Sequence, residues 1–241
     1  MKLTTIIFDL DGTLLPMDND FFTKGYFKLL ASKMSTYGYE PKQLEDAVWA
    51  GTAAMVRNNG SQSNETVFWD TFSEIYGKEK ILKDKAIFED FYAEDFETAK
   101  TLCGYNKKAE KTIQKVKQLG YRVALATNPI FPKIATESRI RWAGLAPEDF
   151  ELCTTYENTC YCKPNPEYYW DIAERLGVQP EECLMVGNDV TEDMIAETVG
   201  MKVFLLSNCL INKERKDINQ YPRGSFEQLL QFIKKERMEC L

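Results

Sequence analysis

The most constraining feature of this sequence is a short apolar run near its amino terminus that ends in two carboxylates. Thr5-Ile6-Ile7-Phe8 is rich in β-branched and aromatic residues, which is typical of a buried strand. Asp9 and Asp11 follow it, and Gly12 predicts a tight turn. Two carboxylates so close together do not ionise comfortably without a nearby cation. The pair suits phosphoryl transfer, with one carboxylate as nucleophile, the other as acid and base, and bound magnesium neutralising the charge. An acidic turn without catalysis is the alternative.

The stretch from Pro16 to Lys100 has a helical period and interrupts the strand pattern. Its apolar residues recur every three or four positions, as on one face of an amphipathic helix. We predict four helices, over residues 18–30, 41–56, 67–77 and 84–99. A helical period favours a small bundle with an aromatic core over an aromatic cofactor pocket. The residues predicted to face inward are Phe21, Phe22, Tyr26, Leu29, Leu30, Leu44, Val48, Met55, Val67, Phe68, Phe72, Ile75, Tyr76, Phe88, Phe91, Tyr92 and Phe96.

From Thr101 onwards, predicted helices alternate with predicted strands. The strands cover residues 121–126, 150–154, 183–187 and 202–206, and the helices cover 107–119, 130–142, 166–176, 190–199 and 226–237. This alternation predicts an α/β fold with a doubly wound parallel sheet. We therefore divide the chain into a core domain, residues 1–15 and 101–241, and a small helical cap domain, residues 16–100.

Composition excludes several classes of function. The sequence contains no histidine, which removes Ser-His-Asp triads, Cys-His dyads and most zinc hydrolases. The net charge of −7 argues against nucleic acid or an anionic membrane as a partner. Seven cysteines, an odd number, do not suggest a disulfide framework. We find neither a signal peptide nor an apolar stretch of the roughly 20 residues that a membrane helix needs, so we expect a cytoplasmic protein.

Polar residues stand just after several predicted strands, where the ligands of a parallel sheet bind. Thr127 and Asn128 follow the second strand and precede a helix, although Thr-Asn is also a common turn. Lys163 precedes a proline-rich helix start, and a solvated surface lysine is the alternative. Asp189 follows a strand directly and can either bind a metal or cap a helix, and Asp193 comes one helical turn later.

These residues together resemble the four motifs of the haloacid dehalogenase-like hydrolase superfamily. The first is Asp9-Leu10-Asp11-Gly12-Thr13, the second Thr127, the third Lys163 and the fourth the segment from Gly187 to Asp193. The resemblance spans essentially the whole chain, and the helical insert matches the cap that many members carry after the first motif. Asn188 departs from the pattern, because many relatives have an acidic residue there.

The resemblance implies a role for each motif residue. Asp9 is the nucleophile and Asp11 the acid and base, while Mg²⁺ is bound by Asp9, the backbone carbonyl of Asp11 and Asp189. Asp193 either binds the metal or orients the phosphate-binding lysine. The residues implied in phosphate binding are Thr127, Asn128 and Lys163.

The resemblance favours a phosphatase, because dehalogenases of the superfamily typically have an aromatic residue in place of Asp11. The hypothesis is magnesium-dependent hydrolysis of a small phosphorylated metabolite through an aspartyl-phosphate. A cap-gated phosphosugar mutase and a non-catalytic phospho-ligand binding module are the alternatives. The cap is expected to close as a lid and to set specificity, with the loop Arg57-Asn58-Asn59 as a candidate. The oligomeric state stays open.

Overall fold

A five-stranded parallel sheet forms the centre of the molecule in the computed structural model, which describes residues 2–239. Its strands stand in the spatial order β2-β1-β3-β4-β5. In the register, Ile7 of β1 is opposite Ala124 of β2 and Met185 of β3. The predicted α/β fold with a parallel sheet is confirmed. The strands are β1 (Thr5–Phe8), β2 (Arg122–Leu125), β3 (Cys183–Gly187), β4 (Lys202–Leu206) and β5 (Arg223–Gly224).

Helices cover both faces of this sheet. Successive strand residues point to opposite faces, so Ile6 and Phe8 pack with α5 and α8 while Ile7 packs with α7. The sheet is therefore doubly wound, as predicted. The helices are α1 (Asn19–Met34), α2 (Pro41–Val56), α3 (Asn64–Tyr76), α4 (Lys78–Ala93), α5 (Lys107–Gln118), α6 (Lys133–Trp142), α7 (Pro166–Leu176) and α8 (Phe226–Glu239).

Helices α1 to α4 form the insert between β1 and β2, and their aromatic core continues into the core of the sheet domain. The ring of Phe96 lies 5.1 Å from that of Trp142 of α6, and the ring of Tyr26 lies 5.4 Å from that of Phe131. The predicted helix at 84–99 is wrong in its bounds, because α4 ends at Ala93 and a 3₁₀ helix, Asp95–Leu102, follows. The division into domains stays a prediction.

Two of the residues predicted to face inward are exposed. Phe21 is 59% exposed and Ile75 is 41% exposed. Each lies next to a residue that is buried or takes the inward side of the helix, Phe22 and Tyr76 respectively. Only one of two adjacent helical positions can face the core fully, and the apolar period alone does not say which.

Two elements of the core domain also differ from their predictions. Residues 150–154 form no strand. They run beside β2 through an isolated bridge between Leu125 and Cys153 and a few backbone hydrogen bonds. Residues 190–199 form turns and a short 3₁₀ helix, Met194–Val199, in place of the predicted α-helix. In the second segment, the carboxylates of Asp189 and Asp193 accept hydrogen bonds from nearby backbone N–H groups, which favours turns over a regular helix.

Among residues 2–239, none of the helices combines the length and the apolar character that crossing a bilayer requires.

Candidate active site

The turn after β1 holds the first two carboxylates at the edge of the sheet. Asp9 is nearly buried, and the N–H of Leu15 donates to the carbonyl of Leu10 at 2.9 Å to close the turn. Gly12 has a φ of +80°, which favours glycine. A Cβ at this position would stand 2.3 Å from Nδ2 of Asn188. Glycine is therefore required both for the backbone angle and for the close approach of this amide.

Asn188, where the family pattern has an acid, makes structural contacts. Its Oδ1 accepts a hydrogen bond from Oγ1 of Thr13 at 2.9 Å, and its Nδ2 donates to the carbonyl of Cys209 at 2.7 Å. The side chain is 1% exposed. The amide therefore links the turn after β1 to the loop after β4, and both of its polar atoms are used within the protein.

Lys163 lies between two carboxylates and is itself 1% exposed. Its Nζ is 2.9 Å from Oδ1 of Asp9 and 2.6 Å from Oδ1 of Asp193. Burial disfavours the charged amine, but Asp193 and Asp9 outweigh it and hold the pKa of Lys163 well above its usual value. Burial raises the pKa of Asp193 to about 6, and the charge of Lys163 opposes that rise. The solvated surface lysine considered from the sequence is excluded.

The acidic segment after β3 forms a hydrogen-bonded turn. Oδ1 of Asp189 accepts from the backbone N–H groups of Thr191 at 2.7 Å and Glu192 at 2.9 Å. Oδ2 of Asp193 accepts from the backbone N–H of Asp189 at 2.9 Å. Gly187 allows this arrangement, because a Cβ there would stand 2.1 Å from Oδ2 of Asp193. Both oxygens of Asp193 are thus occupied within the protein.

Thr127 and Asn128 lie in the segment that follows the neighbouring strand, β2, which ends at Leu125. The carbonyl of Thr127 accepts from Oγ1 of Thr154 and from the hydroxyl of Tyr168, each at 2.8 Å. Asn128 donates from Nδ2 to Oε2 of Glu192 at 3.2 Å, while its own Oδ1 is buried without a hydrogen-bond partner. Burial raises the pKa of Glu192 to about 8. Glu192 was not anticipated from the sequence.

Arg139 is the second residue that sequence reasoning missed. It is 1% exposed, its guanidinium contacts Oδ2 of Asp11 directly, and it stacks 4.5 Å from the ring of Phe131. Burial raises the pKa of Asp11, and the positive charge of Arg139 opposes the rise. The only sequence signal is the spacing with Ala135 and Trp142, which places a charge on the buried face of α6.

One cavity of about 240 Å³ brings most of the predicted site residues together. Lys163 is not part of its wall and lies behind Asp9. The cavity is bounded on the other side by the helical insert. The predicted site residues that line it are Asp9, Asp11, Thr127, Asn128, Asp189 and Asp193.

The donor set at this edge of the sheet fits magnesium. In the described part of the chain, no three Cys, Asp or Glu side chains form a ready cluster for a metal. Mg²⁺ does not need one, because it usually takes one or two carboxylates and keeps waters or substrate oxygens as further ligands. Asp9 and Asp189 supply two carboxylates on the same cavity, and Oδ1 of Asp11 is a buried oxygen without a partner.

Comparison with known proteins identifies the family of this fold. Pyrophosphatase PpaX of Bacillus cereus is 26% identical over 210 residues, which cover 86% of this chain and 84% of PpaX. The 2-haloacid dehalogenase of Pseudomonas syringae superposes with a TM-score of 0.63 at 15% identity, over 97% of this chain and 99% of that chain. The HAD-hydrolase YfnB of Bacillus subtilis, solved bound to magnesium, superposes with a TM-score of 0.56 at 17% identity, over 97% of this chain and 99% of that chain.

The two solved structures share the fold, and at such identities the superpositions show the fold alone. The family itself is shown by a model described as haloacid dehalogenase-like hydrolase, which matches residues 3–196. That range contains all four motifs. The chain therefore belongs to the haloacid dehalogenase-like hydrolase family.

Proposed function

We propose that this protein is a magnesium-dependent phosphatase that hydrolyses a small phosphate monoester through an aspartyl-phosphate on Asp9. One arrangement of residues carries the proposal. Asp9 and Asp11 line the same cavity, Asp9 is paired with the buried amine of Lys163, and Asp11 has a raised pKa. This arrangement provides a nucleophile, a cation for phosphoryl oxygens and a group able to give up a proton.

In the first half of the reaction, an oxygen of Asp9 attacks the phosphorus and the bond from phosphorus to the ester oxygen breaks. The leaving alkoxide takes a proton from Asp11, for which a raised pKa is suited. Lys163 pairs with the carboxylate of Asp9 at 2.9 Å and would stabilise the negative charge of the phosphoryl group bound to it. The products are the free alcohol and phosphorylated Asp9.

In the second half, water attacks the phosphorus of the aspartyl-phosphate. Asp11, now a carboxylate, takes the proton from that water as the acyl-phosphate bond breaks. Inorganic phosphate leaves, and Asp9 is regenerated as a carboxylate. The side chains of Thr127 and Asn128, which line the cavity, and the backbone N–H groups after β2 would hold the phosphoryl oxygens through both halves.

Magnesium would be held by Asp9, the backbone carbonyl of Asp11 and Oδ2 of Asp189, because Oδ1 of Asp189 already accepts two backbone hydrogen bonds. Bound there, it would neutralise the crowded carboxylates and orient the phosphoryl group. We assign Asp193 to orienting Lys163, because both of its carboxylate oxygens have partners within the protein.

The relatives support a phosphatase over a dehalogenase. PpaX is named a pyrophosphatase, while one neighbour of the same fold is a 2-haloacid dehalogenase. Halide release needs no proton donor, whereas an alkoxide does, and Asp11 supplies one. We propose a cytoplasmic enzyme that acts on a small metabolite. Nucleic acid is disfavoured as a substrate, because the net charge of −7 would repel a polyanion.

The test measures inorganic phosphate release from a panel of small monoesters, before and after EDTA treatment and with magnesium restored. Phosphate release that requires magnesium is expected, together with the absence of chloride release from 2-chloropropionate. Asp9→Asn should abolish turnover, and Asp70→Asn, at an exposed position on α3, should leave it unchanged. Near-normal turnover by Asp9→Asn would refute the assignment of the nucleophile.

A further inference from the structure

The helical insert gives the cavity a wall that is largely aromatic. Phe22 and Tyr26 come from α1, Trp49 from α2, Trp69 from α3 and Phe88 from α4. The aromatic stripe predicted from the sequence as bundle core is therefore also, in part, the wall of a ligand site. A volume of about 240 Å³ lies just below the roughly 300–1,000 Å³ common for small-molecule sites, which restricts the ligand to a small one.

This wall contributes no charge. Among the described residues that line the cavity, none from the insert is a Lys, Arg, Asp or Glu. The one cation in the lining is Lys213, an exposed residue of the loop after β4 that also lines a neighbouring cleft. Lys163 lies behind the cavity and is already paired with two carboxylates.

Several polar groups of this wall are also used within the protein. The hydroxyls of Tyr26 and Tyr92 bond to each other at 2.7 Å, and Nε1 of Trp69 donates to the hydroxyl of Tyr156 at 3.4 Å. Burial raises the pKa of Tyr26 to about 12, so this hydroxyl stays neutral in the physiological range. These polar groups are thus hydrogen-bonded to one another within the protein.

The loop Arg57-Asn58-Asn59, the sequence candidate for specificity, does not line the cavity. Nδ2 of Asn58 donates to Oδ1 of Asn64 at 2.9 Å, and Nδ2 of Asn64 donates to the carbonyl of Tyr161 at 3.2 Å. This part of the loop therefore ties the insert to the core domain. The positive charge of Arg57 is not available to a substrate in the cavity.

From this wall we infer the substrate class: a phosphate monoester whose alcohol carries an uncharged aromatic group. A second anionic group, such as the carboxylate of phosphoglycolate or the second phosphate of pyrophosphate, would be costly to bury against the insert, which contributes no cation to the lining; Lys213 lies outside the insert and is exposed. An aromatic ring instead gains apolar burial and edge-to-face contacts there. This inference rests on the proposed phosphatase function.

The experiment compares catalytic efficiency on benzyl phosphate, phosphoglycolate and inorganic pyrophosphate, with magnesium present. Benzyl phosphate and phosphoglycolate both release an alkoxide, so a difference between them reports the cavity wall and not the leaving group. We expect kcat/KM for benzyl phosphate to be at least about tenfold higher than for the other two, since an unpaired buried charge weakens binding by at least that factor.

Two matched tryptophan variants test whether the aromatic ring of the substrate lies against the insert wall. Trp49 is 47% exposed and lines the cavity, whereas Trp170 is 46% exposed on α7 and does not line it. Trp49→Ala should lower kcat/KM for benzyl phosphate about three- to tenfold, the usual effect of losing an aromatic contact. Trp170→Ala should have no effect.

Thr52→Arg adds a cation to the same wall at a partly exposed position and should raise activity on phosphoglycolate relative to benzyl phosphate.

The possible outcomes distinguish a failure of the aromatic substrate class from a failure of the phosphatase function. Efficient hydrolysis of phosphoglycolate or pyrophosphate in preference to benzyl phosphate would overturn the substrate class and leave the phosphatase function standing. Equal effects of Trp49→Ala and Trp170→Ala would overturn the placement of the ring on this wall. If none of the three substrates, nor any of the monoester panel, released phosphate, the phosphatase function would fall and the substrate class with it.

Discussion

The ion pair between Arg139 and Asp11 yields the sharpest prediction. Arg139→Met keeps the length and most of the apolar packing of the side chain but removes its charge. Removing one partner of a buried ion pair costs about 3–5 kcal/mol. The Asp11 side chain is 23% exposed, which lowers that cost, while the stacking of the guanidinium on Phe131 is also lost. We therefore expect the free energy of unfolding to fall by about 2–4 kcal/mol.

The loss should depend on pH in a defined direction. Burial already raises the pKa of Asp11 above its ordinary 3.8, and without Arg139 it should rise further. A carboxyl whose pKa is higher in the folded than in the unfolded state destabilises the fold as pH rises from its unfolded pKa towards its folded pKa. The difference between variant and wild type should thus be smallest near pH 4 and grow towards neutral pH.

Urea unfolding followed by tryptophan fluorescence measures this difference. Arg141→Met is the matched control, because Arg141 lies on the same helix and its side chain is 53% exposed. It should change the free energy of unfolding by less than about 0.5 kcal/mol. A double-mutant cycle with Asp11→Asn isolates the pair itself. A coupling energy near zero would show that the Arg139–Asp11 pair does not stabilise the fold. A loss of unfolding free energy in Arg139→Met no larger than that in Arg141→Met would show the same.

Three further predictions follow from the site. Asp11→Asn should lower the rate of hydrolysis by a factor of about 10²–10⁴. This variant should still bind magnesium, because the ligand proposed at position 11 is the backbone carbonyl. Asp189→Ala should instead raise the magnesium concentration needed for half-maximal activity. Lys163→Met should lower the free energy of unfolding by about 3–5 kcal/mol in urea, because two buried carboxylates lose their shared cation. The Gly12→Ala protein should be less stable than the Gly120→Ala protein. The backbone φ is similar at the two positions, +80° at Gly12 and +85° at Gly120, but only at position 12 would the added Cβ stand 2.3 Å from an amide nitrogen.

Each of these has an outcome that would contradict it. The same magnesium dependence in Asp11→Asn and Asp189→Ala would remove the division between acid and metal ligand. A Lys163→Met protein as stable as wild type would mean that the carboxylates do not depend on the amine. Equal stability of the two glycine variants would mean that the backbone angle, and not the close approach, determines the cost.

Local patterns were sufficient for much of the fold. The bounds of β3, β4, α2 and α7 agree with the prediction because each element has its own start and stop signals. Asn165 caps α7 and accepts from the N–H of Glu167, Pro166 opens it, and Gly177 ends it in the left-handed region. The 150–154 segment lacked such signals, and it pairs with β2 through an isolated bridge and a few backbone hydrogen bonds without forming a strand.

The sequence by itself determined the order of elements, the parallel sheet and the grouping of motif residues at one edge, because each motif directly follows a strand or opens a helix. Only the tertiary structure decided which charges meet. Arg139 and Asp11 are 128 residues apart, and nothing local to either position shows that they touch. Likewise, the aromatic residues of the insert have the same helical period whether they fill a core or line a cavity. Packing of the insert over the sheet edge decides that, because it leaves an opening between them.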